Sequence, residues 1–283
     1  MTPSSARVLL TGATGGIGQA VAEALLKDGA SLLLTGRSPA RLSTLARELR
    51  RHLGVPGTRV EWCAADLSQP GTWTQAHGLV PVAADWGVNV VVHAAGVPAF
   101  GRLEDQPADQ VAASLQTNLL APLLLTRALL PHLRTRTQAQ VIFVGSALGR
   151  IGLPGFSVYS AAKFGLRGAA EALRRELRDS PVQVQYLGPR STRTAFNDPA
   201  VAAYNTATGT ASDPPQRVAN ALLALLKDEA AERHIGWPER LAVRLNGVVP
   251  TWLDPLFDRH RRSLPGPAGR EAATPLNPSF CKE

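Results

Sequence analysis

Sulfur is scarce in this chain of 283 residues, which holds two cysteines, Cys63 and Cys281, and one methionine. Two cysteines so far apart, one of them in the tail, build no disulfide framework and suit a reducing compartment. Histidine is thin as well. The six, at 52, 77, 93, 132, 234 and 260, never form an H-x-x-x-H pair, so no metal site is expected. No apolar run approaches the roughly 18 residues of a spanning helix. Met1 to Arg7 lacks the charged, apolar and small-residue regions of a signal peptide, and a cytoplasmic location is the expectation. Aromatics make up only 5% and are not interleaved with arginine. The net charge of +8 therefore reads as solvated, arginine-rich helix faces, and no nucleic-acid partner is expected.

Tyrosine and lysine are also rare, with three of the first and four of the second, yet they meet in Tyr159-Ser160-Ala161-Ala162-Lys163. Residues four apart share a helix face, with Cβ atoms roughly 5–6 Å from each other. A phenol ionises near pH ~10, and an ammonium beside it favours the phenolate. Reaching about 7 would take roughly 4 kcal/mol, more than Lys163 alone supplies; a second positive group, such as an oxidised nicotinamide ring, would help. The pair is thus a candidate proton donor, or else a packed tyrosine with a solvated lysine one turn on.

The chain before the pair supplies a context. Arg7 to Leu10 is a short β-rich run that stops at Thr11-Gly12-Ala13-Thr14-Gly15-Gly16-Ile17-Gly18, after which Ala20, Val21, Ala24 and Leu25 recur at helical spacing. Strand, glycine turn and helix are what a dinucleotide site needs: glycine lets the backbone approach a pyrophosphate, and the helix N-terminus offers free N–H groups. A second strand, Ser31 to Leu34, ends at Thr35-Gly36-Arg37-Ser38. A carboxylate at that tip would bind the ribose 2′-hydroxyl of NAD. Arg37 and Ser38 suit a 2′-phosphate instead, which points to NADP(H), unless Arg37 is simply exposed at a strand end.

Further on, Arg41 to Leu53 reads as a helix, Val60 to Ala64 as a strand running on to Asp66-Leu67, and Asn89 to Val92 as a strand entering His93-Ala94-Ala95-Gly96. A helical stretch from Asp105 to Leu133 is interrupted around Pro122 and carries Asn118, either buried with partners or facing the surface. Gln140 to Val144 is a strand continuing into Gly145-Ser146, where a serine points at the ligand crevice of a parallel sheet. A helix opens at Tyr159 and runs to about Asp179; Val182 to Leu187 is a sixth strand, closed by Gly188-Pro189. The alternation argues for an α/β fold, a Rossmann-type doubly wound parallel sheet in a single domain.

With these landmarks in this order, residues 6 to 240 resemble the short-chain dehydrogenase/reductase family. Its T-G-x-x-x-G-I-G reads Thr11 to Gly18, its acidic residue after the third strand Asp66, its N-N-A-G segment His93 to Gly96, and its Y-x-x-x-K Tyr159 and Lys163. The helix asparagine is similar to Asn118, the carbonyl-binding serine to Ser146. The P-G-x-x-x-T segment reads Pro189-Arg190-Ser191-Thr192-Arg193-Thr194, with Arg190 in place of glycine. The resemblance implies an NADP(H)-dependent oxidoreductase acting on a ketone or secondary alcohol. In it, Tyr159 exchanges the proton, Ser146 holds the carbonyl oxygen, Lys163 lowers the tyrosine pKa and binds the nicotinamide ribose, and Asn118 holds a relay water. Gly12, Thr14, Gly15, Gly16, Ile17, Gly18, Arg37, Ser38, Asp66, Leu67, Ala94, Ala95, Gly96, Asn118, Tyr159, Lys163, Pro189, Thr192 and Thr194 would line the cofactor, Asp66 at the adenine and Thr194 at the carboxamide. Two departures stand out: His93-Ala94 replaces both asparagines, and Gly15 stands where many NADP-preferring members carry a basic residue. A homodimer or homotetramer through the helices of Asn118 and Tyr159 is implied as well. A non-catalytic NADP-binding regulator and an epimerase or dehydratase on the same scaffold remain alternatives.

Leu148, Leu153, Phe156, Phe196 and Tyr204 are expected around the substrate, which favours a lipophilic carbonyl or alcohol; Arg190 or Arg193 would suit a phosphorylated one. Beyond the catalytic domain at 1–240, the extension 241–262 is apolar from Val248 to Phe257 and then basic at Arg259-His260-Arg261-Arg262. It would pack on the domain or a partner subunit, or touch a membrane surface through 248–262. The tail 263–283, rich in Pro, Gly and Ala, is expected to be disordered.

Overall fold

The computed structural model describes residues 1–51, 59–236, 245–248 and 250–265. The expected helix end at His52-Leu53, the stretch from 240 to 244, Val249 and the tail beyond 265 lie outside these residues. Seven strands form one sheet in the order β3-β2-β1-β4-β5-β6-β7, every neighbouring pair parallel. They are β1 Arg7–Thr11, β2 Ser31–Gly36, β3 Val60–Ala64, β4 Val90–His93, β5 Ala139–Val144, β6 Val182–Gly188 and β7 Glu232–His234.

Side chains alternate along a strand, so the apolar run at the start of the chain feeds both faces. Val8 and Leu10 join a core with α1 (Gly16–Lys27), α2 (Pro39–Arg51) and α9 (Pro215–Asp228); Leu9 faces the opposite core. That second core takes Val91 and Phe143 from the sheet. Its helices are α3 (Pro70–Trp73), α4 (Leu79–Trp86), α6 (Ala121–Leu133) and α7 (Ser157–Glu176). Burying each leucine contributes about 1.5–3 kcal/mol, and strands covered on both faces explain their nearly unbroken apolar sequence.

The order reverses between β1 and β4, where Thr11 is in register with His93. In doubly wound sheets, ligands bind at the carboxyl ends of the strands flanking such a reversal. The motif residues leave the strands there: the glycine loop follows β1, His93-Ala94-Ala95-Gly96 closes β4, and Gly145-Ser146 follows β5.

The long central helix departs from expectation. The break comes before Pro122: α5 (Ala108–Leu115) runs into a π-helical turn, Gln116–Leu120, which runs into α6 with Pro122 in its first turn. Proline there lacks an N–H that would have no partner in any case, so it starts α6 instead of kinking it. A further helix, α8 (Pro199–Thr208), occupies part of the segment read only as pocket lining; the Asp198 side chain caps it by accepting from Val201 N–H.

Candidate active site

The glycine loop is shaped by contacts that exclude side chains. Gly12 has φ +65°, and a Cβ there would lie 2.7 Å from the Ala95 backbone; one on Gly18 would lie 2.1 Å from the Gly12 carbonyl. Gly15 sits at the N-cap of α1 with no side-chain cap, and the first turn carries no acid. Those N–H groups and the positive helix end are therefore open to a diphosphate. Thr11 braces the loop from below, its hydroxyl accepting from the N–H groups of Ala94 and Ala95, each at 3.1 Å. Ile17 packs against the core behind the loop.

At the tip of β2, Arg37 is exposed, and the Ser38 hydroxyl caps α2 by accepting from Arg41 N–H at 3.3 Å. The guanidinium of Arg41 reaches across to donate to the Thr14 carbonyl at 3.0 Å. Arg41 is thus a second cation between the glycine loop and the tip of β2, overlooked because its position in the sequence is only that of a helix residue. A 2′-phosphate would meet Arg37, Arg41 and the N-terminus of α2. Asp66 is exposed at the next strand end, with one oxygen accepting from Ser68 N–H and Oγ at 2.9 and 2.8 Å. The Leu67 side chain is buried in the core, so only its backbone faces a ligand.

The segment after β6 closes the crevice. The Pro189 carbonyl accepts from Ala147 N–H, and Thr194 packs on the glycine loop so closely that a Cβ on Gly16 would come within 2.5 Å of its methyl. The hydroxyl of buried Thr192 is spent on the Arg190 carbonyl at 3.0 Å. A cavity of about 550 Å³ opens beside Thr194, lined also by Arg193, Asn197, Asn205 and Ser212; Tyr159 is not part of its wall. Arg190, an expected phosphate ligand, is instead held bidentately by buried Asp213, each N–O distance 2.9 Å. Burial pushes the Asp213 carboxyl up, but hydrogen bonds and charge from Arg190 and Arg217 outweigh it and hold the pKa below the usual value. Its ionised form is committed to those partners.

His93 occupies the place of the first asparagine as a packing residue. It stacks on Phe143 with centroids 5.0 Å apart, and Nε2 lies 2.8 Å from Thr126 Oγ1. Thr126 already donates to the Pro122 carbonyl, so the histidine is the donor. Burial lowers its pKa to about 3, which keeps the ring neutral. Asn118 lies in the π turn, a feature frequent at functional sites, and is buried. Its amide group bonds the Val97 N–H, the Val97 carbonyl and Ser114 Oγ, at 3.1, 2.9 and 3.0 Å. The surface-facing alternative is therefore wrong: the side chain pins the loop after β4 to the helix.

Ser146, Tyr159 and Lys163 meet at the crevice. Lys163 is buried, its Nζ 5.6 Å from the centre of the Tyr159 ring and 3.2 Å from the Val144 carbonyl to which it donates. Tyr159 keeps part of its ring exposed. Burial of the remainder raises the phenol pKa above its ordinary value, while a hydrogen bond with the Ser146 side chain pulls it down. Burial also lowers Lys163, to about 8. Desolvation penalises both charged forms, the phenolate and the ammonium, so burial sets the direction of each shift. Phe156 and Phe196 flank Tyr159 edge-on, with centroids 6.4 and 5.9 Å away. Phe100, which the sequence did not single out, packs on Phe156 and Tyr204 at 4.8 and 5.1 Å.

The extension joins this wall. Tyr204 donates to the Pro154 carbonyl, so the Nδ1–H of His260, 2.9 Å away, donates to Tyr204. Val248, Trp252 and Leu256 point outward, Trp252 being 80% exposed. No described helix is long and apolar enough to cross a membrane.

The family model described as short chain dehydrogenase matches residues 6–205. The 3-ketodihydrosphingosine reductase of Bos taurus is 31% identical over 192 residues, covering 67% of this chain and 57% of that protein. Dehydrogenase/reductase SDR family member 7B of Bos taurus is 30% identical over 255 residues, covering 87% and 78%. The crystal structure of a metagenomic short-chain oxidoreductase in complex with NADP superposes with TM-score 0.67 at 29% identity, over 82% of this chain and 98% of that one. The chain spans little more than half the length of the first relative.

Proposed function

This chain belongs to the short chain dehydrogenase family, and we propose that it is an NADP(H)-dependent oxidoreductase interconverting a lipophilic ketone and its secondary alcohol. One observation carries the reading: Ser146 and Lys163 converge on Tyr159 in the switch-point crevice, beside a glycine loop that leaves helix N–H groups open. The Gly12–Gly18 loop takes the diphosphate, Arg37 and Arg41 the 2′-phosphate, and Thr194, pressed on Gly16, the nicotinamide end. When bound, the cofactor supplies the hydride.

The protein's own part is orientation and proton handling. Ser146 Oγ holds the carbonyl oxygen, and Tyr159, protonated at neutral pH, donates to it. Lys163 uses one of its three N–H donors on Val144 and directs the others at the ribose; its charge favours the phenolate left by donation. Because the Asn118 side chain is already engaged, the relay water falls to the backbone of the π turn, where the helical ladder changes register. Phe100, Phe156, Phe196 and Tyr204 favour an apolar substrate. A panel of ketones, followed by NADPH absorbance, should give kcat/KM at least about tenfold higher for aromatic and long-chain ketones than for short keto acids, about 1.4 kcal/mol of discrimination; the reverse order would exclude an apolar substrate.

A second copy of the chain is proposed to pack on α5, the π turn and α7, where Leu115, Leu120 and Phe164 are exposed at 36, 43 and 43%. Phe164→Glu should shift the sedimenting species toward monomer, and an unchanged distribution would place the contact elsewhere. The outward face of the extension is proposed to rest on anionic lipid, with Trp252 and Leu256 in the interface and Arg261 and Arg262 at the headgroups. Trp252→Ala with Leu256→Ala should reduce co-sedimentation with phosphatidylserine vesicles several-fold; no binding by the unaltered protein would refute that contact.

A further inference from the structure

We infer that Tyr186 is a positioning residue for Ser146, an inference that rests on the reading of Ser146 as the carbonyl anchor. β6 and the residue that follows it bond the loop after β5 at alternate residues: Gly145 N–H donates to the Leu187 carbonyl and Ala147 N–H to the Pro189 carbonyl. That alternation leaves the N–H and C=O of Ser146 between them without a β6 backbone partner. The Tyr186 hydroxyl takes both, accepting from Ser146 N–H at 3.0 Å and donating to the Ser146 carbonyl at 3.0 Å. One phenol thus bonds both backbone polar groups of the residue whose side chain faces Tyr159; the carbonyl also accepts from Gly149 N–H at 3.0 Å, whereas the N–H is held by the phenol.

The loop is built around that phenol. A Cβ on Gly145 would lie 2.1 Å from the Tyr186 ring and hydroxyl, and one on Gly149 would lie 2.3 Å from the hydroxyl and 2.8 Å from the Lys163 carbonyl. Gly145-Ser146-Ala147-Leu148-Gly149 therefore has glycine where the tyrosine and the backbone of α7 press in. Tyr186 is buried, and the ring of His234 lies 6.0 Å away. His234 Nε2 lies 2.7 Å from Glu232, whose carboxylate is also paired with Arg150 and Arg167. That cluster closes the side of the tyrosine away from the crevice. The hydroxyl has no room to swing away, so the backbone of Ser146, and with it the direction of Oγ, is fixed before a substrate arrives, as preorganised catalysis requires.

Tyr186→Phe keeps the ring and removes only the clamp. In the NADPH-loaded enzyme, kcat with the best ketone of the panel should fall about tenfold while the Kd for NADPH stays within twofold. In a Ser146→Ala background the same change should cost less than twofold, because there is no hydroxyl left to aim. Equal losses in both backgrounds would make Tyr186 a merely structural residue and overturn the proposal. A Ser146→Ala variant as active as the parent would overturn the reading of the anchor, and the clamp with it. Amide hydrogen exchange gives a readout without turnover: in Tyr186→Phe the Ser146 N–H should exchange at least tenfold faster, with Gly145 and Ala147 still protected by β6. Unchanged Ser146 protection would overturn the clamp even if activity fell.

Discussion

Tyr159→Phe should lower the turnover of any ketone the protein reduces by about 10³-fold, roughly 4 kcal/mol of barrier, with NADPH binding nearly unchanged. The Tyr159 phenol meets Ser146 and Lys163 in the crevice, whereas the hydroxyl of the other nearby phenol, Tyr186, is engaged by the Ser146 backbone. Phenylalanine preserves the edge-on contacts with Phe156 and Phe196, so the loss isolates the hydroxyl. Burial raises the Tyr159 pKa, and the hydroxyl is therefore a donor across the neutral range, as reduction requires. The reverse reaction needs the phenolate and hence positive charge nearby. Lys163 supplies it less well above pH about 8, where its own lowered pKa lies. Kinetics with saturating NADPH would check the loss; a variant with parental kcat would remove Tyr159 from the chemistry.

The second large effect concerns cofactor choice. Arg37→Asp combined with Arg41→Ala should weaken NADPH binding at least 100-fold and NADH binding only a few-fold. Each charge-assisted bond to a phosphate is worth about 1.5–3 kcal/mol, and a carboxylate at Arg37 adds repulsion to the missing bond. The Arg41 guanidinium is already held over the Thr14 carbonyl, so little ordering is left for binding to impose on it. Titration of protein fluorescence with each cofactor would measure the ratio; equal affinities for NADPH and NADH in the unaltered protein would remove the 2′-phosphate site.

Much of the sheet was legible because its signals are local. Val8 to Leu10, Leu32 to Leu34 and Val90 to Val92 are apolar runs that end at glycine or at small residues, and each became a strand buried on both faces. The glycine loop was legible for the same reason: Gly12 and Gly18 are needed by contacts within the strand–turn–helix unit and with the end of β4. What escaped the sequence depends on contacts between distant segments. Arg190 read as a residue that a phosphorylated substrate could use; it is an ion-pair partner in the fold because Asp213, 23 residues on, is buried beside it. Phe100 belongs to the aromatic wall because the fold brings Phe156 and, on α8, Tyr204 against it. Asn118 sits in a π turn that no spacing rule announced. The N-cap Asp198 and Pro199 were visible signals for α8 that the reading of that segment as pocket lining passed over. The burial that raises the Tyr159 pKa was not legible either, because it comes from the segments that pack around the pair.

The proposed reaction moves a hydride between nicotinamide and a C–O carbon in this crevice. The most direct measurement uses NADPH deuterated at nicotinamide C4, in each of its two stereochemical forms, with the best ketone of the panel. One form should deliver its deuterium to the carbinol carbon of the alcohol, one equivalent per turnover, while the other form retains it. Product formed with the deuterium still on the cofactor in both cases, as an epimerase or dehydratase would give, would contradict it, as would binding of NADPH with no transfer to any carbonyl tested.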